Sequence, residues 1–407
     1  MSSPYRRLLA RLQGLNSLGV DLGLDRMRRA LTLLGSPEQS VPAVQVAGTN
    51  GKGSTVAMVE AILRAAGLRT GLFTSPHLCR FTERIRIDGK EIDGDHLAAL
   101  DGPVAATDVP LTYFETATAL AFCAFAEAKV DVAVLETGLG GRLDATTVAP
   151  AIATAITGIS IDHTDLLGPT LAHIAREKAG IARPGVVMLA GNLPPEAEDV
   201  VVAETARVGA PLRWLDADFA RPNVVLALAG QYQRNNAAIA AELARIVCLQ
   251  LGRPLSDAAV QTGLGGVRWP GRLERLPGGI LLDCAHNLEG AAMLATALRD
   301  EPRPRVLVTS IVRGKDAAAI LATLAPEVDH IITTRSKNAR ALPPEALAAL
   351  TPNAVAMTNP LDALTQARLR AGDGLVVVAG SIPLVGEIRA YLMGETADPM
   401  PISDPLP

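Results

Sequence analysis

Lys52 stands between two glycines in the run Gly48-Thr-Asn-Gly-Lys-Gly-Ser54, and that grouping can cradle a polyphosphate. Gly48, Gly51 and Gly53 let the backbone turn its N–H groups toward an anion. A helix starting here would add a partial positive charge, and Lys52 a whole one. Thr49, Asn50 and Ser54 supply further polar groups. The strict P-loop spacing is not met, because Val46 and Gly53 occupy its first glycine and its hydroxyl positions. The plain alternative is a β-α turn that holds nothing. Lysine between glycines, with Ser54 and Thr55 following, favours a nucleotide.

Carboxylates and histidines recur after apolar runs. The stretch 130–135 ends in Glu136-Thr-Gly-Leu-Gly-Gly-Arg-Leu-Asp144. Ligands of open α/β sheets sit beyond the carboxyl ends of strands, so Glu136 beside a phosphate loop is placed to hold Mg²⁺. His163, between Asp162 and Asp165, reads as a ligand. His96, His173 and His330 read as solvated or satisfied side chains. Ser75 adds a hydroxyl after an expected strand at 72–74. Glu177-Lys178 before Gly180 is either a charged last helical turn or a functional pair, and the residues alone do not choose. Asp283 and His286 repeat the strand-end pattern further along. Two units each presenting polar strand ends imply a site in the cleft between them.

The elements that would position these groups alternate in βαβ fashion, which implies largely parallel sheets with helices on both faces. The expected fold is α/β: an N-terminal P-loop-type, mostly parallel sheet domain over 1–270, lead-in included, and a smaller C-terminal Rossmann-like domain over 271–395. The lead-in reads as helices at 5–15 and 24–34 around a turn at 19–23. Strands are expected at 44–47, 72–74, 130–135, 152–157, 186–190 and 224–228, with a hairpin at 84–92. Helices are expected at 114–129, 170–179, 195–208 and 236–251. A glycine-rich loop at 265–271 marks the boundary. Beyond it come strands at 279–283, 306–309, 330–333 and 375–379, and helices at 288–298, at 316–324 and from 383. The proline-rich stretch 396–407 reads as a disordered tail.

The 407 residues are 49% hydrophobic and 20% charged, as in a globular protein. No apolar run approaches a membrane span, and Arg6, Arg7 and Arg11 interrupt any signal-peptide core, so the expected location is cytoplasmic without a membrane partner. A net charge of −4 gives no basic footprint for nucleic acid. The four cysteines have no CxxC spacing, which argues against a zinc site or a disulfide framework.

Taken in order, the Gly48–Ser54 loop, Ser75-Pro-His-Leu78, Thr112-Tyr-Phe-Glu115, the 136–146 stretch, Asp162-His163, Glu177-Lys-Ala-Gly180, Trp269-Pro-Gly-Arg272 and the 283–287 stretch resemble one family. It is the bacterial dihydrofolate synthase/folylpolyglutamate synthase family of the ATP-dependent Mur ligase superfamily. The resemblance implies that ATP phosphorylates a carboxylate and that the amine of L-glutamate attacks the acyl phosphate. The implied acceptors are dihydropteroate and reduced folates. Implied cofactors are ATP, two Mg²⁺ and a monovalent cation such as K⁺. Lys52 and the loop amides would hold the phosphates, Ser75 and Glu136 one Mg²⁺, and His163 would assist. Lys178 matches a carbamylated lysine that offers an anionic oxygen to the second Mg²⁺. Asn236 and Arg272 match nucleotide contacts, Asp283 and His286 match residues that close over ATP, and Phe114 and Asp144 match pterin contacts. Thr137, Thr147, Cys284 and Leu288 depart from the residues usual in the family, Val, Asn, Gly and Pro. A sister ligase for cell-wall nucleotide precursors would need a further N-terminal domain, for which the residues before Val44 are too few. A P-loop kinase or NTP-driven regulator leaves Glu177-Lys178 and the second unit unexplained. The expectation is a monomeric ligase with both synthase activities, with folylpolyglutamate synthase alone as the runner-up.

Overall fold

The computed structural model describes residues 3–15 and 23–400. Its first sheet contains β1 (Ala43–Ala47), β2 (Thr70–Phe73), β3 (Ile85–Ile87), β4 (Lys90–Glu91), β5 (Val132–Glu136), β6 (Ala151–Ile156), β7 (Met188–Ala190) and β8 (Leu212–Trp214), in the order β4-β3-β2-β5-β1-β6-β7-β8. All pairings are parallel except β2 with β3 and β3 with β4. The second sheet contains β9 (Glu274–Leu276), β10 (Ile280–Leu282), β11 (Arg305–Thr309), β12 (His330–Thr333), β13 (Val355–Ala356) and β14 (Leu375–Ala379), in the order β13-β12-β11-β14-β10-β9. It is parallel apart from β9, which runs antiparallel to β10. The expected α/β class with two mostly parallel sheets is what the chain adopts.

Central strands covered on both faces read as unbroken apolar runs, and every residue of β1 and β5 is buried. The helix Lys52–Ala65 is buried from Gly53 through Leu63, because it lies between the sheet and the helices Gln233–Gln250 and Asp257–Gly266. A helix enclosed in this way has no polar face. On the other side of the sheet, the helix Tyr113–Ala128 starts from a Thr112/Glu115 capping box and buries Phe122 and Phe125.

Several expected elements differ. The stretch 224–228 is not a strand. Its one backbone bond to a neighbouring element runs from Ala227 N to Leu264 O, and Val225 is 84% exposed, so β-branched composition alone does not recruit it to a sheet. The expected glycine loop at 265–271 begins inside the helix Asp257–Gly266. Earlier in that helix Gly263 serves packing: a Cβ on it would come within 2.6 Å of the Ile62 backbone. The helices Gly94–Ala106 and Pro360–Ala371 were not anticipated. Apart from Gly23, the expected turn at 19–23 lies outside the described residues, as does 401–407 of the expected tail. The described part of that tail is anchored. Asp398 accepts from the Tyr5 hydroxyl and from Phe81 N (2.9 Å), and its own N–H donates to Cys79 O (2.7 Å).

Phe125 is 1% exposed, and its ring lies 2.5 Å from where a Cβ on Gly71 would stand. Phe125→Ala is expected to lower unfolding free energy by about 3–5 kcal/mol through lost burial and a residual cavity, as measured by urea denaturation.

Candidate active site

The chain leaves β1 into the glycine loop and enters the helix Lys52–Ala65 at Gly51, whose φ of +87° favours glycine. No side chain caps that helix start, so its first-turn N–H groups remain available to an anion. The loop is braced from behind by a relay: Asn236 Nδ2 donates to Gln233 Oε1 (2.9 Å), and Gln233 Nε2 donates to Ser54 Oγ (3.2 Å). Lys52 Nζ donates to the carbonyls of Gly48 (2.9 Å) and Thr49 (3.1 Å), and Lys178 Nζ donates to that of Gly48 (2.7 Å). Burial lowers the pKa of Lys52. Burial, together with the charge of Lys52, brings that of Lys178 down to about 7.

Glu136 ends β5 and accepts from Ser75 N–H at 3.2 Å, which joins two of the expected metal ligands. Burial raises its pKa, against the opposing pull of Lys52. The turn that follows is organised by Asp144. One of its oxygens accepts from Gly138 N (2.8 Å) and Leu139 N (3.0 Å), and the other from Thr146 N (3.0 Å) and Thr146 Oγ (2.5 Å). These four bonds fill the acceptor capacity of a carboxylate. The pterin hydrogen bond expected of Asp144 would therefore have to displace one of them. Phe114 lies directly over the same turn: its ring stands 2.6 Å from where a Cβ on Gly138 would be, so glycine is required there.

The second sheet turns its strand ends toward the first. Asp283, after β10, accepts from Leu273 N (2.9 Å) and Ala285 N (2.8 Å), and burial raises its pKa against Arg272. His286 Nδ1 bonds the Cys284 carbonyl at 2.8 Å, and burial and Lys315 lower its pKa to about 4, so it is neutral at pH 7. Contacts then cross between the sheets. Asn50 Nδ2 donates to Glu289 (2.6 Å), Ser160 Oγ donates to the same carboxylate (2.7 Å), and Asn287 Nδ2 donates to Asn50 (3.2 Å) and Asp162 (3.0 Å). Asp162 also pairs with Lys315. Burial alone would raise the pKa of Asp162, but His163 and Lys315 outweigh it and keep the group ionised.

All the residues singled out from the sequence, from Gly48 through Ser54, Ser75, Phe114, Glu136, Asp144, His163, Lys178, Asn236 and Arg272 to Asp283 and His286, line one cleft of about 430 Å³. Among the described residues, no three His, Cys, Asp or Glu side chains converge as a metal cluster. One carboxylate, one serine hydroxyl and one imidazole do not make an all-protein cage. They do fit an ion that keeps waters and is shared with substrate phosphates, which is the habit of Mg²⁺. Lys178 as an ammonium fits no cation; as a carbamate it would.

The family description "Mur ligase middle domain" matches residues 46–185, and "Mur ligase, glutamate ligase domain" matches 271–382. A dihydrofolate synthase/folylpolyglutamate synthase of Mycobacterium tuberculosis is 39% identical over 376 residues, covering 81% of this chain and 77% of that protein. The chain belongs to this family of Mur ligases. The solved structure of Escherichia coli FolC in complex with DHPP and ADP superposes with a TM-score of 0.90 at 32% identity, over 97% of this chain and 98% of that one. A Yersinia pestis bifunctional synthase complexed with AMPPNP and a Mn ion gives 0.88 at 33% identity, over 96% and 98%. The chain spans about half the length of a Haloferax volcanii relative, a probable bifunctional folylpolyglutamate synthase/dihydropteroate synthase, at 37% identity over 95% of this chain.

Sequence reasoning missed several groups that this ligase places in the cleft: Arg84, Glu289, Lys315 and Arg340. Lys315 and Arg340 follow β11 and β12, and strand-end position was the available signal. Arg84 sits in an expected hairpin and carried none. Asp144→Ala would leave two backbone amides of the glycine turn without their acceptor. It is expected to lower stability by at least about 2 kcal/mol by urea denaturation, together with a loss of activity.

Proposed function

We propose that the cleft joins L-glutamate to dihydropteroate, and to the γ-carboxylate of reduced folates, at the expense of ATP. The single observation that carries this reading is the convergence of a lysine-bearing phosphate loop, Glu136 and Lys178 with an aromatic wall at Phe114 and Tyr113, all in one cleft. An oxygen of the acceptor carboxylate attacks the γ-phosphorus, and the bond to ADP breaks. The neutral amine of glutamate then adds to the acyl carbon, phosphate leaves, and a proton is lost from nitrogen. Lys52 and the loop amides hold the phosphates and stabilise the charge that shifts onto ADP. Asn236 and Arg272 are assigned to the nucleotide, and Asp283 and His286 to the wall that closes over it. Phe114 stacks on the pterin, with Asp144 fixing the turn beneath it.

Mg²⁺, held by Ser75 and Glu136 with help from His163, would neutralise phosphoryl oxygens when bound. The E. coli relative is solved with ADP and the Y. pestis relative with AMPPNP and Mn, which supports this cofactor set. Lys178, with a pKa near 7, supplies the uncharged amine needed to add CO₂ as a carbamate. The carbamate would face the second Mg²⁺. The domain boundary at residue 270 falls between β8 and β9 and is kept in this reading. No helix of the described residues is long and apolar enough to cross a membrane. The net charge of −4 favours action on small molecules rather than on nucleic acid, and a cytoplasmic monomer remains the proposed state.

Mass spectrometry of products from ATP, Mg²⁺ and L-glutamate with either dihydropteroate or tetrahydrofolate tests the reading. Product from both acceptors is expected. Product from tetrahydrofolate alone would make the protein a folylpolyglutamate synthase only, and product from neither would refute the acceptor class. Lys178→Ala is expected to lose ligation, with partial rescue by added short carboxylates. A ¹³C carbamate resonance from labelled CO₂ should grow as pH rises through about 7, because only the deprotonated amine reacts.

A further inference from the structure

Arg84 is a cation of the cleft that none of these roles uses. It ends the short turn Phe81–Arg84 and is 2% exposed, yet it contributes to the cleft wall. Among the described residues no carboxylate lies within ion-pair distance of its guanidinium; its recorded partners are of another kind. Nε donates to His77 Nδ1 at 2.9 Å, and the guanidinium carbon lies 5.7 Å from the Phe81 ring centre and 5.4 Å from that of Tyr113. Burial of a charged group without an adjacent anion is unfavourable, and two aromatic rings offset it only in part.

His77 deepens the imbalance. To accept from Arg84, its Nδ1 must carry the lone pair, which puts the ring proton on Nε2. That nitrogen is buried and has no hydrogen-bond partner. An imidazole that accepts through Nδ1 is neutral, so His77 supplies no countercharge. The arrangement fixes the Nε edge of Arg84 and leaves its two terminal nitrogens as a planar pair that only the neutral Tyr113 side chain engages.

The position says which anion would complete it. Arg84 shares the cleft with Tyr113 and Phe114 on one side and acts electrostatically on Glu136 on the other. Phosphates are already met by the loop amides, Lys52 and Arg272. The group that must lie between an aromatic acceptor wall and the phosphate end is the carboxylate about to be phosphorylated, and a guanidinium matches a carboxylate with two parallel hydrogen bonds. We propose that Arg84 binds the acceptor carboxylate, aims one of its oxygens at the γ-phosphorus, and stays on the acyl oxygen after ADP departs, with His77 as its positioning residue. This inference rests on the ligase reading above.

The test compares the acceptor with an analogue of dihydropteroate in which hydrogen replaces the carboxylate, used as a competitive inhibitor. In wild type the acid should bind far tighter than the analogue. Arg84→Gln should raise the acceptor KM about 10- to 100-fold, the usual worth of charged hydrogen bonds. It should leave analogue binding and the KM for ATP within about twofold. Arg84→Lys, which keeps the charge without the planar fork, should fall between. His77→Leu should lower kcat, and His77→Gln, whose amide oxygen can accept from Nε, should restore most of it. The inference is overturned if Arg84→Gln leaves the acid-to-analogue ratio unchanged, or weakens acid and analogue alike, since the latter is the mark of a purely structural role. A variant that no longer binds ADP is judged by the same ratio measured in Arg84→Lys. Failure of the wild type to form either product refutes the ligase reading itself, a result separate from any of these.

Discussion

Two ammonium groups, those of Lys52 and Lys178, converge on the carbonyl oxygen of Gly48 in a buried cleft. Like charges in poor contact with water repel, and here burial and the charge of Lys52 together depress the pKa of Lys178. The nearby carboxylates do not simply neutralise them: Asp162 is already shared with Lys315, and Asp144 is saturated by its own turn. A polyanion at the glycine loop relieves Lys52. Conversion of Lys178 to an anion changes its sign altogether and turns a repulsive pair into an attractive one. With only Glu136 left to offset Lys52, the same electrostatic constraint favours a phosphate-bearing substrate and is the physical case for the carbamate proposed at Lys178.

The fold meets that constraint by aiming two sets of strand ends at one volume. β1, β2, β5 and β6 deliver the glycine loop, Ser75, Glu136 and Asp162, while β10, β11 and β12 deliver Asp283, Lys315 and Arg340. Asn50 makes the link most directly, because the loop residue that should face phosphate also bonds Asn287 and Glu289 of the second unit. Nucleotide at the loop and the position of the second sheet are thus coupled through the same residue. That gives a physical route from ATP binding to exclusion of water around a hydrolysable acyl phosphate.

Much of this was legible in the residues, and for stated reasons. Buried parallel strands carry continuous apolar runs, so β1, β5 and β14 and the polar groups that follow them could be found without coordinates. The stretch 224–228 carried the same composition but lies outside the sheet, where nothing pairs with it. The use of Gly263, letting two helix backbones meet at Ile62, was not legible because it depends on a neighbour about 200 positions away in the chain. Arg84 was invisible for a related reason. A lone arginine in a hairpin reads as solvated, and only tertiary structure shows it enclosed by His77, Phe81 and Tyr113. Asp144 was found, but its saturation by its own turn could not be.

The departures from the usual family residues show how the site tolerates change around a fixed backbone. Thr147 Oγ accepts from Gln45 Nε2 (2.7 Å) and donates to Gly141 O (2.6 Å), so a hydroxyl performs the bridging that holds the glycine turn. Cys284 fills the space beside Gly271, and burial pushes its thiol up to about 12, which keeps it uncharged and compatible with the neighbouring Asp283. Leu288 opens the helix Leu288–Leu298, where proline is favoured only because no partner is needed for its nitrogen. Asn287 already caps that helix by accepting from Gly290 N–H at 2.9 Å, so the leucine is admissible there. Nothing in the structure explains the hydroxyl of Thr137, which is buried without a partner. In the other three cases local contacts accommodate the side chain, and it is the backbone path that sets where the phosphate amides, Glu136 and Phe114 stand.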